Sequence, residues 1–181
     1  DLYAQDDVEN GNFDHDVAGI GRMTSADLWT DSRGTGIVSV NNATDLGDGE
    51  FLFWGHDNGA LDPWWSNSDD MPGGIDGVLA RRWRVSEVNT AGTATDVGAV
   101  DLTFHLGGLY PLVAADLRLL VDANGNGVFS DDQPITGAVE LGNGVITFHG
   151  VTALADGARF TVGTAHANVV LPVDLIAFNA T

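Results

Sequence analysis

The chain has 181 residues, 44% of them hydrophobic, and 26 acidic side chains against 7 basic ones give a net charge of −19. That length allows one domain with a sizeable core, and that apolar content argues against disorder. The charge repels nucleic acid and anionic surfaces, and no run reaches the ~20 apolar residues of a membrane helix, so neither a nucleic-acid partner nor membrane insertion is expected.

The chain begins at Asp1 without a Met or a leader, as a processed mature protein or an excised domain would. Residues 1–16 are acidic and weakly patterned, and read as a mobile arm or as an edge strand donated to a partner. Val17 to Met23 is a small-residue segment suited to close backbone packing. Gly36 to Val40 alternates like a strand and ends at Asn41-Asn42, where Asn42 opens an N-x-T sequon; a second lies at Asn179. Phe51-Leu52-Phe53-Trp54 is a continuous apolar run, which reads as a strand buried on both faces, broken by Gly55-His56-Asp57-Asn58-Gly59. Leu61 to Gly77 is a long loop with adjacent Trp64 and Trp65 and the acids Asp62, Asp69, Asp70 and Asp76. So much indole surface in a loop asks to be covered, which makes Trp64 and Trp65 a candidate binding contact.

Ala80 to Val88 alternates, with Arg82, Arg84 and Ser86 on one face and Trp83, Val85 and Glu87 on the other. Arg81, Arg82 and Arg84 concentrate positive charge on a chain with no Lys. They are expected to neutralise acids within the molecule, or else, through Arg82 and Arg84, to dock an acidic partner. Val100 to Leu106 alternates as a half-buried antiparallel strand, with His105 on its polar phase, and Leu117 to Val121 is another strand.

That last strand runs into V-D-A-N-G-N-G-V-F-S-D-D-Q, residues 121–133. Counted from Asp122, oxygen-bearing side chains fall at alternate places, Asp122, Asn124 and Asn126, followed by Gly127, the carbonyl of Val128, and Asp131 and Asp132. Ca²⁺ takes about six to eight oxygens, and alternating donors around a sharp Gly turn supply them. Gln133 stands where a helix-loop-helix site carries a bidentate Glu, so a calcium loop between strands is expected, not an EF-hand. The plain alternative is an Asx- and Gly-rich turn without metal. Asp14, Asp16, Asp57 and Asn58 form two further polar clusters that would make a second cation site if they met in space.

Ala138 to Leu141, Val145 to Phe148 and Arg159 to Val162 read as strands, and Asn143-Gly144 is a hairpin signal. Val169 to Phe178 is apolar, interrupted by Pro172, and reads as a terminal strand or an exit linker. Short strands without helical periodicity give an all-β fold of one domain over 1–181. The expected form is an antiparallel β-sandwich, jelly-roll or Ig-like, with long calcium-ordered loops. Cys is absent, so metal ions are the natural staple, and neither zinc spacing nor a nucleophile elbow is present. With this many acids some pair falls at glycosidase spacing by chance, so an enzyme is not expected.

The segments D-V-A-G-I-G-R (16–22), F-L-F-W-G-H-D-N-G (51–59), R-R-W-R-V (81–85), D-L-R-L-L-V-D-A-N-G-N-G (116–127) and L-P-V-D-L-I-A-F (171–178) span nearly the whole chain. In this order they resemble an uncharacterised β-sandwich domain of large secreted surface proteins of Bacteroidota and marine bacteria. They are also similar in outline to calcium-dependent ligand-binding domains of giant bacterial adhesins. The resemblance implies an extracellular or cell-surface module without known catalysis. In such proteins the last segment leads into another domain, whereas this sequence stops at Thr181. Two functions are therefore expected to compete. One is a Ca²⁺-binding structural or adhesive module acting on its own copies, as a filament or tube subunit, or on a surface. The other is a calcium-dependent carbohydrate- or peptide-binding module.

Overall fold

The computed structural model describes residues 1–33, 36–61, 70–107 and 112–165. Two 3-10 turns, Ala4–Asp6 and Val8–Asn10, precede the strands β1 (His15–Thr24), β2 (Asp27–Trp29), β3 (Asp31–Ser32), β4 (Val38–Asn41), β5 (Glu50–His56) and β6 (Gly77–Val78). Then follow β7 (Trp83–Asn89), β8 (Val100–His105), a 3-10 turn at Ala114–Asp116, β9 (Leu117–Asp122), β10 (Val139–Gly142), β11 (Val145–Val151) and β12 (Arg159–Thr164). The fold is all-β, in two antiparallel sheets. One runs β2-β1-β5-β7-β12-β6, with β9 also paired to β12, and the other runs β10-β11-β8-β4-β3. The Asn143-Gly144 hairpin forms as expected, both residues taking positive φ between β10 and β11.

One core lies between the sheets, in the manner of a β-sandwich. Alternate residues of each strand feed it: Leu52 and Trp54, Trp83 and Val85, Phe104, Ile146 and Phe148, and Phe160. Trp83 stacks on Phe160 at 5.6 Å and meets Phe104 of the opposite sheet edge-on, also at 5.6 Å. A second small cluster, Met71, Ile75, Val78, Leu120 and Phe129, lies under residues 70–77.

At β5 the structure departs from the strand buried on both faces that the sequence suggests. Leu52 and Trp54 enter the core, but Phe51 and Phe53 are only half-buried on the outer face, so the strand alternates although all four residues are apolar. The outer face is apolar there because β1 opposes Gly19 to Phe53 and Gly21 to Phe51, and each ring covers the glycine beside it. Of residues 1–16, which the sequence presents as a mobile arm or a donated edge strand, 1–13 lie on this same outer face. Tyr3 and Phe13 are buried, and the Tyr3 hydroxyl donates to the Phe13 carbonyl at 2.9 Å. Gly55 makes room for them, since a Cβ there would stand 2.2 Å from the Phe13 carbonyl oxygen. Val169 to Phe178 lies outside the described residues.

Candidate metal centre

The loop that leaves β9 closes at its base where Ile135 returns to pair with Leu119, the two exchanging both main-chain hydrogen bonds. Inside it the side chains of Asp122, Asn124, Asn126 and Asp132 are turned toward the loop's own backbone. Asp122 is fully buried (0% exposed), and its two oxygens accept from the amides of Asn126 (3.0 Å) and Gly127 (2.7 Å). Asn124 Oδ1 accepts from the Asn126 amide, and Asn126 Oδ1 from the Val128 amide. These are Asx turns in series, and they bend the chain so that Asn124 and Asn126 both face Asp131. Asp131 Oδ2 accepts from their side-chain amides at 3.3 and 3.1 Å, while Asp132 Oδ2 accepts from the Ala123 amide.

Two glycines make the path possible. Gly125 and Gly127 have φ of 68° and 90°, and both are tightly packed. A Cβ on Gly125 would lie 2.7 Å from the Gly157 carbonyl oxygen, and one on Gly127 would lie 2.9 Å from an Arg159 guanidinium nitrogen. The apolar place between the two acid-bearing ends is Phe129, buried in the small cluster and tied by its amide to the Asp70 carbonyl.

The loop thus gathers Asp122, Asn124, Asn126, Val128, Asp131 and Asp132 into one turn, in two layers. Asp122 organises the inner layer and sits beside positive charge, because Arg159 is its cross-strand partner and Arg84 is cross-strand to Arg159. Arg84 is held below its ordinary range by burial first and by Arg159 second, with Asp122 acting the other way. The outer layer, Asn124, Asn126 and Asp131, has only exposed or half-exposed hydrogen bonds within itself. Among the described residues no three His, Cys, Asp or Glu side chains converge as a metal cluster, so amide and main-chain oxygens would have to complete any coordination here.

The second set of candidate ligands is brought together by the β1–β5 pairing, which sets His15 opposite His56. Its oxygens are engaged by histidine and amides. Asp16 Oδ2 lies 2.9 Å from His56 Nε2, and Asp14 Oδ1 lies 2.6 Å from His15 Nδ1. Asp57 Oδ1 accepts from the amides of Gly59 and Arg82, and the Asn58 amide donates to His56 Nδ1. The two imidazoles stack at 5.5 Å. His56 is driven below its usual range by burial, against the pull of the Asp16 hydrogen bond. This is a His–carboxylate pair of pairs rather than an oxygen cage.

Arg82 and Arg84 are engaged inside the molecule, and among the described residues their side chains meet a ring and main-chain carbonyls. The Arg82 guanidinium lies 5.0 Å over the Phe129 ring. Arg84 donates from Nε to the Gly157 carbonyl at 3.0 Å and from Nη1 to the Asn10 carbonyl, over the face of Phe13. Trp64 and Trp65 lie outside the described residues. Trp29, which no sequence pattern singles out, stands 72% exposed on β2, in the same sheet as the half-buried Phe51 and Phe53 of β5. The signal was present as G-x-G in β1 facing F-x-F in β5, but each half alone reads as ordinary packing.

Residues 4–158 match the model of a family described as a domain of unknown function, DUF8202. No curated protein and no solved structure matches the chain.

Proposed function

Starting from a chain that belongs to the DUF8202 family, we propose that it is a non-enzymatic, extracellular or cell-surface Ca²⁺-binding module that works by contact. The observation that carries this reading is the 122–132 loop. Asx turns, two positive-φ glycines and a paired base hold three oxygen-bearing side chains, Asn124, Asn126 and Asp131, against one another on an open side. A cation entering that side would replace the amide donors now facing Asp131, and would draw in Asp132 and main-chain carbonyls to reach calcium's coordination number. The −19 charge supports it, because bound cations and salt are the ordinary means of relieving such repulsion.

Contact with further copies, in a filament or other polymer, is the form of function that uses calcium in this way, since subunits of −19 approach only when cations offset their charge. Light scattering on the full chain tests it. Millimolar Ca²⁺ is expected to raise the particle size reversibly, with Mg²⁺ and matched ionic strength leaving it unchanged. A particle size unaffected by Ca²⁺, with soluble glycans or peptides bound only in its presence, would favour a calcium-dependent carbohydrate- or peptide-binding module.

A further inference from the structure

The outer face of β2, β1 and β5 carries an aromatic slot that shares no residue with the 122–132 loop. Gly21 is paired with Trp29 on one side and with Phe51 on the other. Directly opposed residues of neighbouring strands share a face, so the indole and the phenyl stand on either side of a residue with no side chain. Gly19 lies likewise beside Phe53. Phe51 and Phe53 stack at 5.7 Å with ring planes 12° apart, and both lean over the glycines. A Cβ on Gly21 would fall 2.3 Å from Phe51 Cδ1, and one on Gly19 would fall 2.4 Å from Phe53 Cδ1. With Met23 and Asp27 the lining encloses about 310 Å³, at the small end of ligand sites. Trp29 is left 72% exposed and Met23 49%.

Among the described residues the lining contains ring faces, a thioether and one carboxylate, with no cationic side chain, on a chain of net charge −19. Charge complementarity therefore selects a cation and repels anions. The number of hydrogen-bond donors selects which cation. A lysine ammonium brings three donors and a guanidinium five, and each needs an acceptor once covered. Among the described residues of the lining, Asp27 is the sole oxygen-bearing side chain. A quaternary ammonium brings no donors, and the faces of Trp and Phe rings attract it directly.

We propose that this slot binds a quaternary alkylammonium group, with Trp29, Phe51 and Phe53 supplying the ring faces and Asp27 the counter-charge. Choline is the probe, with its uncharged tert-butyl analogue and cellobiose in parallel. Each is titrated into the full chain in chelator, so that the result does not depend on the calcium reading. The methyl resonance of Met23 and the indole N–H of Trp29 are followed by NMR. Choline is expected to give saturable shifts, with its neutral analogue about tenfold weaker, as a cation–π gain of roughly 1.4 kcal/mol requires. Trp29→Ala is expected to abolish the shifts at an unchanged melting temperature, because the side chain is exposed. Asp27→Asn should weaken choline and flatten its salt dependence. Equal binding of the neutral analogue would overturn the proposal in favour of an apolar groove, and shifts with cellobiose would overturn it in favour of a sugar platform. Absence of saturable shifts with choline would overturn it as well.

Discussion

Glu87 sits on the core face of β7, opposite Leu52, only 4% exposed, with Oε1 accepting the Val97 amide at 2.8 Å. Burial, and then the charges of Asp96, Asp156 and Glu50, push its carboxyl up to about 7, while the Val97 amide pulls the other way. The folded chain therefore holds a proton that the unfolded chain releases, so this residue's contribution to stability falls as pH rises from about 4.5 to about 7. His56 has the opposite sign. Its folded value is lowered, so stability is lost as pH falls below the ordinary histidine value of about 6.5. The two slopes oppose each other in the mildly acidic range. Glu87→Gln keeps an acceptor for Val97 and removes the charge. It is expected to stabilise the fold by roughly 1–3 kcal/mol at pH 8 and to change little at pH 4. It should also uncover the rise of stability with pH that His56 imposes. Chemical denaturation across that range checks all three expectations, and a variant parallel to the native chain at every pH would contradict them.

At the scale of elements, the N-terminal segment and the loop after β9 are connected through two arginines. Arg84 and Arg159 both lie against the face of Phe13, at 5.9 and 5.8 Å, and they are the cross-strand neighbours that lead to Asp122. Phe13→Ala should therefore cost about 3 kcal/mol, the ordinary value for a buried aromatic. Gly55→Ala should reproduce much of that loss without touching Phe13, because its Cβ would displace the Phe13 carbonyl. Thermal unfolding of the two variants, singly and together, should give a non-additive pair, since both undock one segment. The strands that feed the core were legible, because β8 and β7 alternate and Asn143-Gly144 marks its hairpin. The outer face was not legible. A run such as Phe51 to Trp54 looks alike whether its second face is covered by protein or left open, and only the facing glycines of β1 decide it. The 3-10 turns at Ala4–Asp6 and Val8–Asn10 have no periodicity to announce them, and what fixes that segment is distant: Tyr3 and Asn10 reach the main chain and side chain of Arg84. In the candidate site, the spacing of Asp122, Asn124 and Asn126 was legible because alternation is local. That Asp122 would face inward, beside Arg84 and Arg159, is a matter of sheet register and was not.

Across the whole molecule 26 acidic side chains face 7 basic ones. Arg22 bridges Asp48 at 2.6 Å, but Arg33, Arg81, Arg84 and Arg118 donate to main-chain carbonyls, and Arg82 lies over a ring. Among the described residues the arginines chiefly organise the backbone, and the net −19, which already counts all seven of them, is left for solvent cations to offset. A specific calcium site differs from that general screening in being saturable and in depending on particular oxygens. The variant that separates the two is Asp131→Ala rather than Asp122→Ala. Asp122 is buried, and its oxygens hold two amides whether or not an ion is present, so its loss damages the loop directly. Asp131 is exposed, and among the described residues it bonds only to the side-chain amides of Asn124 and Asn126. The most direct measurement is the melting temperature of the native chain and of Asp131→Ala, in millimolar Ca²⁺ and in chelator, at constant ionic strength. Calcium at about a hundredfold excess over Kd adds about 2.7 kcal/mol, which for a chain of this size is a rise of roughly 5–11 °C. The native chain is expected to show that rise and Asp131→Ala to lose most of it while melting like the native chain in chelator; identical melting of the native chain with and without calcium would contradict a calcium site in this loop.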